Sequence, residues 1–259
     1  MKVTGRIRIV LLGLLLCGLP QIGFAYNVSF SDTSNYWPGW GTNASDNSQD
    51  TIGEPKFSGG SVEISSAGRL TGITFNQASA SSSLWNVLSP GDLFLDTNAD
   101  KKWDYVVDLT NWTTAGISNP DPQAGSYKLY KTSIDLNSAT GYIKSGTDNS
   151  GGWAGYYIRD GHPVAADIGW GAADYLGQVG FSGWSNSNPS SFYTFNFASL
   201  AGGGLLLEDA FIIGWGPNCA NDVIYEKINT PVPEPATMFL LGLGLLGLAG
   251  FGRRATSRK

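Results

Sequence analysis

An acidic loop offers the clearest pattern of chemically useful side chains in this chain. Asp96, Asn98, Asp100 and Asp104 place carboxylate and amide oxygens at closely spaced positions. Such oxygens can converge on calcium, which takes six to eight oxygen ligands. The spacing predicts a calcium site, with the main-chain carbonyl of Lys102 as a further ligand. The alternative is a polar turn between two strands, because Asp and Asn favour turns.

The loop departs from an EF-hand at two positions. Lys101 occupies the glycine position of that motif, and Val107 stands where its bidentate glutamate belongs. The predicted site is therefore a hairpin loop without flanking helices. Calcium is the only cofactor that the sequence indicates, since the chain contains neither a phosphate loop nor a dinucleotide fingerprint.

No residue pattern predicts a catalytic centre. His162 is the single histidine, and Ser185 lacks the nucleophile elbow of a hydrolase triad. Zinc hydrolysis requires more His or Cys ligands than the chain offers. Paired carboxylates for glycoside hydrolysis stay open, because acidic residues are numerous. We expect a non-enzymatic protein, with a secreted glycan-active hydrolase as the alternative.

The tryptophans allow two interpretations. Exposed Trp rings beside Asn and Asp could stack on sugars, as in a carbohydrate-binding jelly roll, which makes exopolysaccharide a candidate partner. Alternatively, the rings fill the core of a domain that has no disulfide, because each aromatic side chain buries about 150–250 Å². The residues concerned are Trp37, Trp40, Trp112, Trp153, Trp170 and Trp184.

The residues that surround these candidates predict an all-β fold. Short apolar or alternating runs, separated by Gly, Ser, Asn, Asp and Pro, favour a single β-sandwich of the jelly-roll type over residues 26–229. In the run 191–197, Phe192, Thr194 and Asn196 should face one way, and Tyr193, Phe195 and Phe197 the other. The predicted strands span residues 61–65, 70–75, 91–95, 103–109, 126–130, 154–158, 177–181, 191–197, 210–215 and 222–228.

The charge of this middle region limits its partners. Residues 26–230 carry nine Lys or Arg and twenty Asp or Glu, hence a formal charge of −11. Nucleic acid is excluded as a partner, because phosphate binding needs basic patches. An acidic exterior suits an envelope domain, or one that meets divalent cations.

The N-terminus has the three parts of a secretory signal peptide. A basic start (Lys2, Arg6 and Arg8) precedes an apolar run at 9–19 and a small-x-small cleavage site. We expect residues 1–25 to be removed by a cut between Ala25 and Tyr26. Cys17 leaves with the peptide, so Cys219 has no intrachain disulfide partner. Cys219 is then a buried small hydrophobe or pairs between chains.

The C-terminus combines a short motif, an apolar run and a basic tail. Pro233, Glu234 and Pro235 precede the uncharged residues 236–252. As a helix this run spans roughly 25 Å, which is slightly short of a hydrocarbon core of about 30 Å. It predicts one transmembrane helix with a cytoplasmic C-terminus, and a buried helix of a soluble domain is the alternative. The basic tail at 253–259 contains Arg253, Arg254, Arg258 and Lys259.

The order of these parts resembles the PEP-CTERM sorting signal of bacterial envelope proteins. Residues 50–55, 90–96, 103–107 and 219–224 also look like blocks of uncharacterised PEP-CTERM proteins. The resemblance makes residues 230–259 a sorting signal and implies an exosortase-type membrane transpeptidase as partner. It implies transient anchoring in the inner membrane, followed by the cell surface or extracellular matrix. A membrane-tethered binding module that is never processed remains the alternative.

Overall fold

The computed structural model describes most of the region between the two predicted signals. The described residues are 25–41, 48–51, 56–79, 90–109, 124–138, 140–145, 159, 161–168, 174–183 and 192–231, together with 242, 244 and 245. The predicted signal peptide up to residue 24, the Pro-Glu-Pro motif, the basic tail and most of the predicted transmembrane segment lie outside them. Within these ranges, no helix is long and apolar enough to cross a membrane.

The described residues form thirteen strands. They are β1 (Tyr26–Phe30), β2 (Lys56–Ile64), β3 (Arg69–Ser79), β4 (Leu93–Asp96), β5 (Lys102–Asp108), β6 (Gly125–Asp135), β7 (Tyr142–Lys144), β8 (Pro163–Ala166), β9 (Asp174–Ser182), β10 (Phe192–Asn196), β11 (Leu205–Leu206), β12 (Ala210–Trp215) and β13 (Ile224–Asn229).

Eleven of these strands make one continuous antiparallel sheet. Its order is β1-β2-β3-β10-β9-β6-β5-β4-β12-β13, with β11 paired to β3. The sheet nearly closes into a barrel, because neighbouring strands twist relative to one another and a long sheet coils. The all-β prediction is confirmed, whereas the finer prediction of a two-sheet sandwich is not.

The interior of the coiled sheet holds the main hydrophobic core. Tyr193 and Phe195 of β10 and the following Phe197 are fully buried, whereas Phe192 and Asn196 are exposed. This alternation confirms the two opposite faces predicted for the run 191–197, and it places Tyr193, Phe195 and Phe197 on the core side. Trp215 of β12 stacks on Phe75 of β3 with ring centroids 4.4 Å apart, so the core joins strands that are distant in the sheet.

A second core covers the outer face of β4, β5 and β12. Leu93 and Leu95 of β4 face the interior, and Phe94 between them faces this second cluster. The segment after β1 supplies Trp37, whose ring centroid lies 5.1 Å from that of Phe94 and 5.2 Å from that of Trp103. Both faces of this part of the sheet are therefore buried.

Hydrogen bonds to Asp92 hold the small β7–β8 sheet against the second core. Its Oδ1 accepts a hydrogen bond from the Leu109 amide at 2.9 Å. Its Oδ2 accepts one from the Ala166 amide, also at 2.9 Å. Because Asp92 is buried, these charge-assisted bonds are strong, and they link the end of β5 to the end of β8.

Candidate functional site

A triad of aspartates gathers where the two edges of the sheet approach each other. Asp32 follows β1, Asp50 precedes β2, and Asp222 lies in the connection between β12 and β13. One carboxylate oxygen from each residue lies within 4.8 Å of the other two. Positions separated by up to 190 residues of chain thus converge at one point.

The carboxylates of this triad have few hydrogen-bond donors. Asp222 is fully buried, and its Oδ2 accepts bonds from the Phe57 amide at 2.6 Å and from Thr51 Oγ1 at 3.2 Å. Its Oδ1, both oxygens of Asp32 and Oδ1 of Asp50 are buried and accept no bond from any described residue. Buried acceptors without donors are costly, so this arrangement favours a bound cation or a shared proton.

Burial dominates the titration of the triad. Desolvation raises the pKa of Asp32, and the charges of Asp222 and Asp50 raise it further. Desolvation also raises the pKa of Asp222, although the Phe57 amide opposes this effect. The pKa of Asp50 is raised by burial and held back by Lys56 and Arg159. The site therefore disfavours three simultaneous negative charges.

Arg159 links two of the three chain segments that carry the aspartates. Its buried guanidinium donates to the main-chain carbonyls of Ala220 at 3.1 Å and Asp50 at 3.0 Å. Further bonds reach the carbonyls of Gln49 and Asn221. The backbone that carries Asp50 and Asp222 is thereby fixed by one side chain.

The predicted calcium ligands lie together in the turn between β4 and β5. Both oxygens of Asp96 accept main-chain amides of the same turn, including that of Lys101 at 2.8 Å. Asp104 Oδ2 accepts bonds from the amide and hydroxyl of Thr97 at 2.8 and 2.6 Å. Asn98 Oδ1 and Asp100 Oδ1 each accept the amide two residues further along.

The turn therefore satisfies its own polar groups. Ala99 and Lys101 adopt left-handed φ values of 57° and 72°, which direct successive amides towards Asp96. Burial raises the pKa of Asp96, while the three amide donors lower it. These contacts match the polar-turn alternative, and calcium in the turn stays a prediction.

The other candidate residues are buried or lie outside the described residues. Trp37 is 1% exposed and Trp40 is 6% exposed, so both belong to the second core rather than to a sugar-binding surface. Trp112, Trp153, Trp170, Trp184 and Ser185 lie among the residues that are not described. His162 is enclosed, with its ring centroid 5.2 Å from that of Trp37.

Sequence reasoning missed the aspartate triad and selected the loop at 96–104. Regular spacing marks a loop whose ligands are close in sequence. Asp32, Asp50 and Asp222 have no common spacing, and each sits beside ordinary polar residues. Only the approach of β1 to β13 brings them together.

Comparison with known proteins decides the nature of the C-terminus. Residues 231–254 match the family model of the PEP-CTERM protein-sorting motif. The chain carries a PEP-CTERM sorting signal. No curated protein and no solved structure matches the chain.

The PEP-CTERM motif confirms the resemblance drawn from Pro233, Glu234 and Pro235. It implies recognition by an exosortase, which is a membrane enzyme. It also implies a secreted protein that passes through the membrane to the cell surface or the extracellular space. The thirteen strands, which all precede this motif in the chain, are thus the cargo of a PEP-CTERM signal.

Proposed function

We propose that this chain is a non-enzymatic protein of the cell envelope or extracellular matrix. The signal peptide at 1–25 directs its export, and the helix at 236–252 anchors it in the inner membrane until processing. An exosortase-type transpeptidase then acts at Pro233–Pro235. The match of residues 231–254 to the PEP-CTERM motif carries this proposal.

The boundaries of the folded region support the two processing events. β1 begins at Tyr26, directly after the expected signal-peptide cut. β13 ends at Asn229, four residues before the Pro-Glu-Pro motif. Removal of both ends would therefore leave every described strand in place.

Exopolysaccharide is the proposed partner of the folded region. Tyr175 of β9 is 56% exposed, and its ring centroid lies 6.1 Å from that of Tyr130 on β6. Exposed Lys128 and Gln178 lie on the same two strands. An aromatic pair with polar neighbours suits a sugar ring, which has an apolar face and hydroxyl groups.

The termini of the mature protein test the proposal. We expect intact-mass and peptide mass spectrometry of surface-extracted protein to find Tyr26 at the N-terminus and no Arg253–Lys259 tail. The variant in which Pro233 and Pro235 are both changed to Ala should keep the tail and remain in the membrane fraction.

The control changes Pro231 to Ala, which leaves the Pro-Glu-Pro motif intact and should be processed normally. A surface protein that retains Arg253–Lys259 would contradict sorting. It would identify the chain as a membrane-tethered module instead.

A further inference from the structure

We propose that Asp32, Asp50 and Asp222 form a calcium site that closes the barrel. Oxygens that share a calcium ion at 2.3–2.6 Å lie no more than about 5 Å apart. The three carboxylates meet this condition, because one oxygen of each lies within 4.8 Å of the others. The donor set consists of oxygen atoms alone, which suits a hard cation.

The unpaired oxygens of the triad point to a ligand. Asp222 is fully buried, and its Oδ1 accepts no bond from the described residues. Both oxygens of Asp32 and one of Asp50 are also buried and accept no bond from a main-chain amide or hydroxyl of the described residues, and the one interaction between Asp32 and Asp222 is a proton that their carboxyls share. A calcium ion would coordinate these oxygens and offset the repulsion among three adjacent carboxylates.

Nearby positive charge compensates the triad only in part. Lys56 and Arg159 both act on Asp50. Asp32 is instead surrounded by negative charge, namely Asp222, Asp50 and Glu226. The Asp32 side of the cluster is therefore the place where a cation would stabilise the folded protein most.

The location of the triad gives calcium a structural role. β1 and β13 are the two edges of the open sheet, and the segment at 32–37 crosses from one to the other. Thr33 donates two bonds to Glu226 Oε1 at 2.9 and 3.0 Å. Ser34 Oγ donates to the Tyr225 carbonyl at 2.8 Å. We call this contact between residues 32–37 and β13 the seam.

Calcium would strengthen the seam at its base. Asp32 begins the crossing segment, and Asp222 lies two residues before β13. A shared ion ties the chain leaving β1 directly to the chain entering β13. The barrel would then open less readily in calcium than in chelator, because a ligand that binds only the folded state stabilises it.

Thermal unfolding of the full chain in detergent tests this site. Wild-type protein freed of metal by chelator should unfold about 5 °C higher in 10 mM CaCl₂ than in EDTA, given a dissociation constant of about 10⁻⁴ M. Asp32→Asn should abolish the calcium-dependent shift. In EDTA this variant should be about as stable as wild type, since the pKa of Asp32 is raised to about 9 and its neutral carboxyl is replaced by a neutral amide of the same shape, which can donate to Asp222 in place of the carboxyl proton.

Two matched variants separate this site from other acidic groups. Asp209→Asn removes an exposed carboxylate and should keep the calcium shift. Asp100→Asn alters the β4–β5 turn and should also keep it. Asp50→Asn provides a second change within the triad and should lose it, even if Asp32→Asn proves poorly folded.

Isothermal titration with CaCl₂ supplies an independent measurement. Wild type and Asp100→Asn should share a binding event that Asp32→Asn and Asp50→Asn lack. A calcium shift that survives in both triad variants would overturn the proposal. So would the absence of any calcium shift in wild type, or a shift that only Asp100→Asn removes.

Discussion

His162 shows how a single side chain can be fixed in one protonation state. Its Nε2 accepts the Trp37 amide at 3.2 Å, and its Nδ1–H donates to the Pro163 carbonyl at 2.9 Å. Both contacts suit the neutral ring with its proton on Nδ1. Burial and, to a smaller extent, the charge of Arg159 lower the pKa of His162 to about 3, although the hydrogen bond to the Pro163 carbonyl opposes this shift. Protonated Nε2 would oppose the Trp37 amide, so the folded state excludes the cation.

This depressed pKa predicts a loss of stability in acid. The unfolded chain protonates His162 near its ordinary pKa of about 6.5, whereas the folded chain does so near 3. Unfolding therefore takes up a proton between these values. The contribution of His162 to the free energy of unfolding is therefore complete above about pH 6.5. Below this pH it falls by about 1.4 kcal/mol per pH unit.

The variant His162→Gln isolates this effect from the carboxylates. Urea unfolding of both proteins from pH 7.5 to 4.5, in EDTA, should show a difference in free energy that changes by about 1.4 kcal/mol per pH unit below pH 6. Parallel pH profiles for wild type and variant would contradict a neutral buried His162.

For Cys219, the structure decides between the two roles that the sequence allowed. The sequence allowed a buried thiol or one that pairs between chains, and the structure buries Cys219 at 4% exposure. Its Sγ lies 3.0 Å from Asn221 Oδ1. Burial raises the pKa of the thiol to about 12, so the reactive thiolate is scarce at neutral pH.

At the scale of elements, the packing around β12 depends on Gly214, which has no side chain. A Cβ atom at Gly214 would lie 2.7 Å from Cη2 of Trp103 and 2.9 Å from Cζ2 of Trp37. Both indoles are almost fully buried, and they pack in the second core. Gly214 therefore lets two Trp rings rest directly on the strand, which no larger residue permits without displacement.

The variant Gly214→Ala tests this packing. We expect it to lower the free energy of unfolding by about 1–3 kcal/mol, because extra volume in a filled core forces the side chains from their positions. Gly180→Ala on β9 is the matched control, since its Cβ would meet the nearest atom at an ordinary 3.5 Å. It should be neutral or raise the free energy of unfolding by up to about 1 kcal/mol.

Chemical denaturation with fluorescence and circular dichroism measures both variants. Equal stability of Gly214→Ala and wild type would show that the indoles move aside without cost.

The strands divide into those that periodicity could predict and those that it could not. The long elements carry their own pattern of alternating or apolar residues, and nine of the ten predicted strands overlap observed ones. The predicted strand at 154–158 lies outside the described residues. The ten predicted strands do not include β1, β7, β8 or β11. β7 and β11 have only three and two residues, and β8 begins with Pro163, so local pattern gives too little signal.

At the scale of the whole molecule, surface chemistry decides what the cargo can contact. Residues 26–230 carry a formal charge of −11, and Tyr175 is among the most exposed large hydrophobic side chains of the described residues. Tyr175→Ala should weaken binding to the exopolysaccharide of the producing cells about threefold to tenfold, because a stacking contact contributes about 0.5–1.5 kcal/mol.

Binding is measured by co-sedimentation of the full chain with the purified polysaccharide. Leu206→Ala is the control, because Leu206 is 61% exposed on β11, which pairs with β3 and not with the strands that carry Tyr130 and Tyr175. Equal binding of both variants would remove Tyr175 from the contact. Release of reducing sugar by the wild type would favour a hydrolase.

The sequence by itself determined the C-terminal sorting signal, the all-β class and the division of β10 into two faces. These features depend on local order: a motif beside an apolar run, or alternation along one strand. Tertiary structure alone decided that one sheet nearly closes, that Trp37 and Trp40 lie inside, and that Asp32, Asp50 and Asp222 converge. These features arise from contacts between distant parts of the chain, and the spacing of residues along a sequence carries no record of which strand edges will meet.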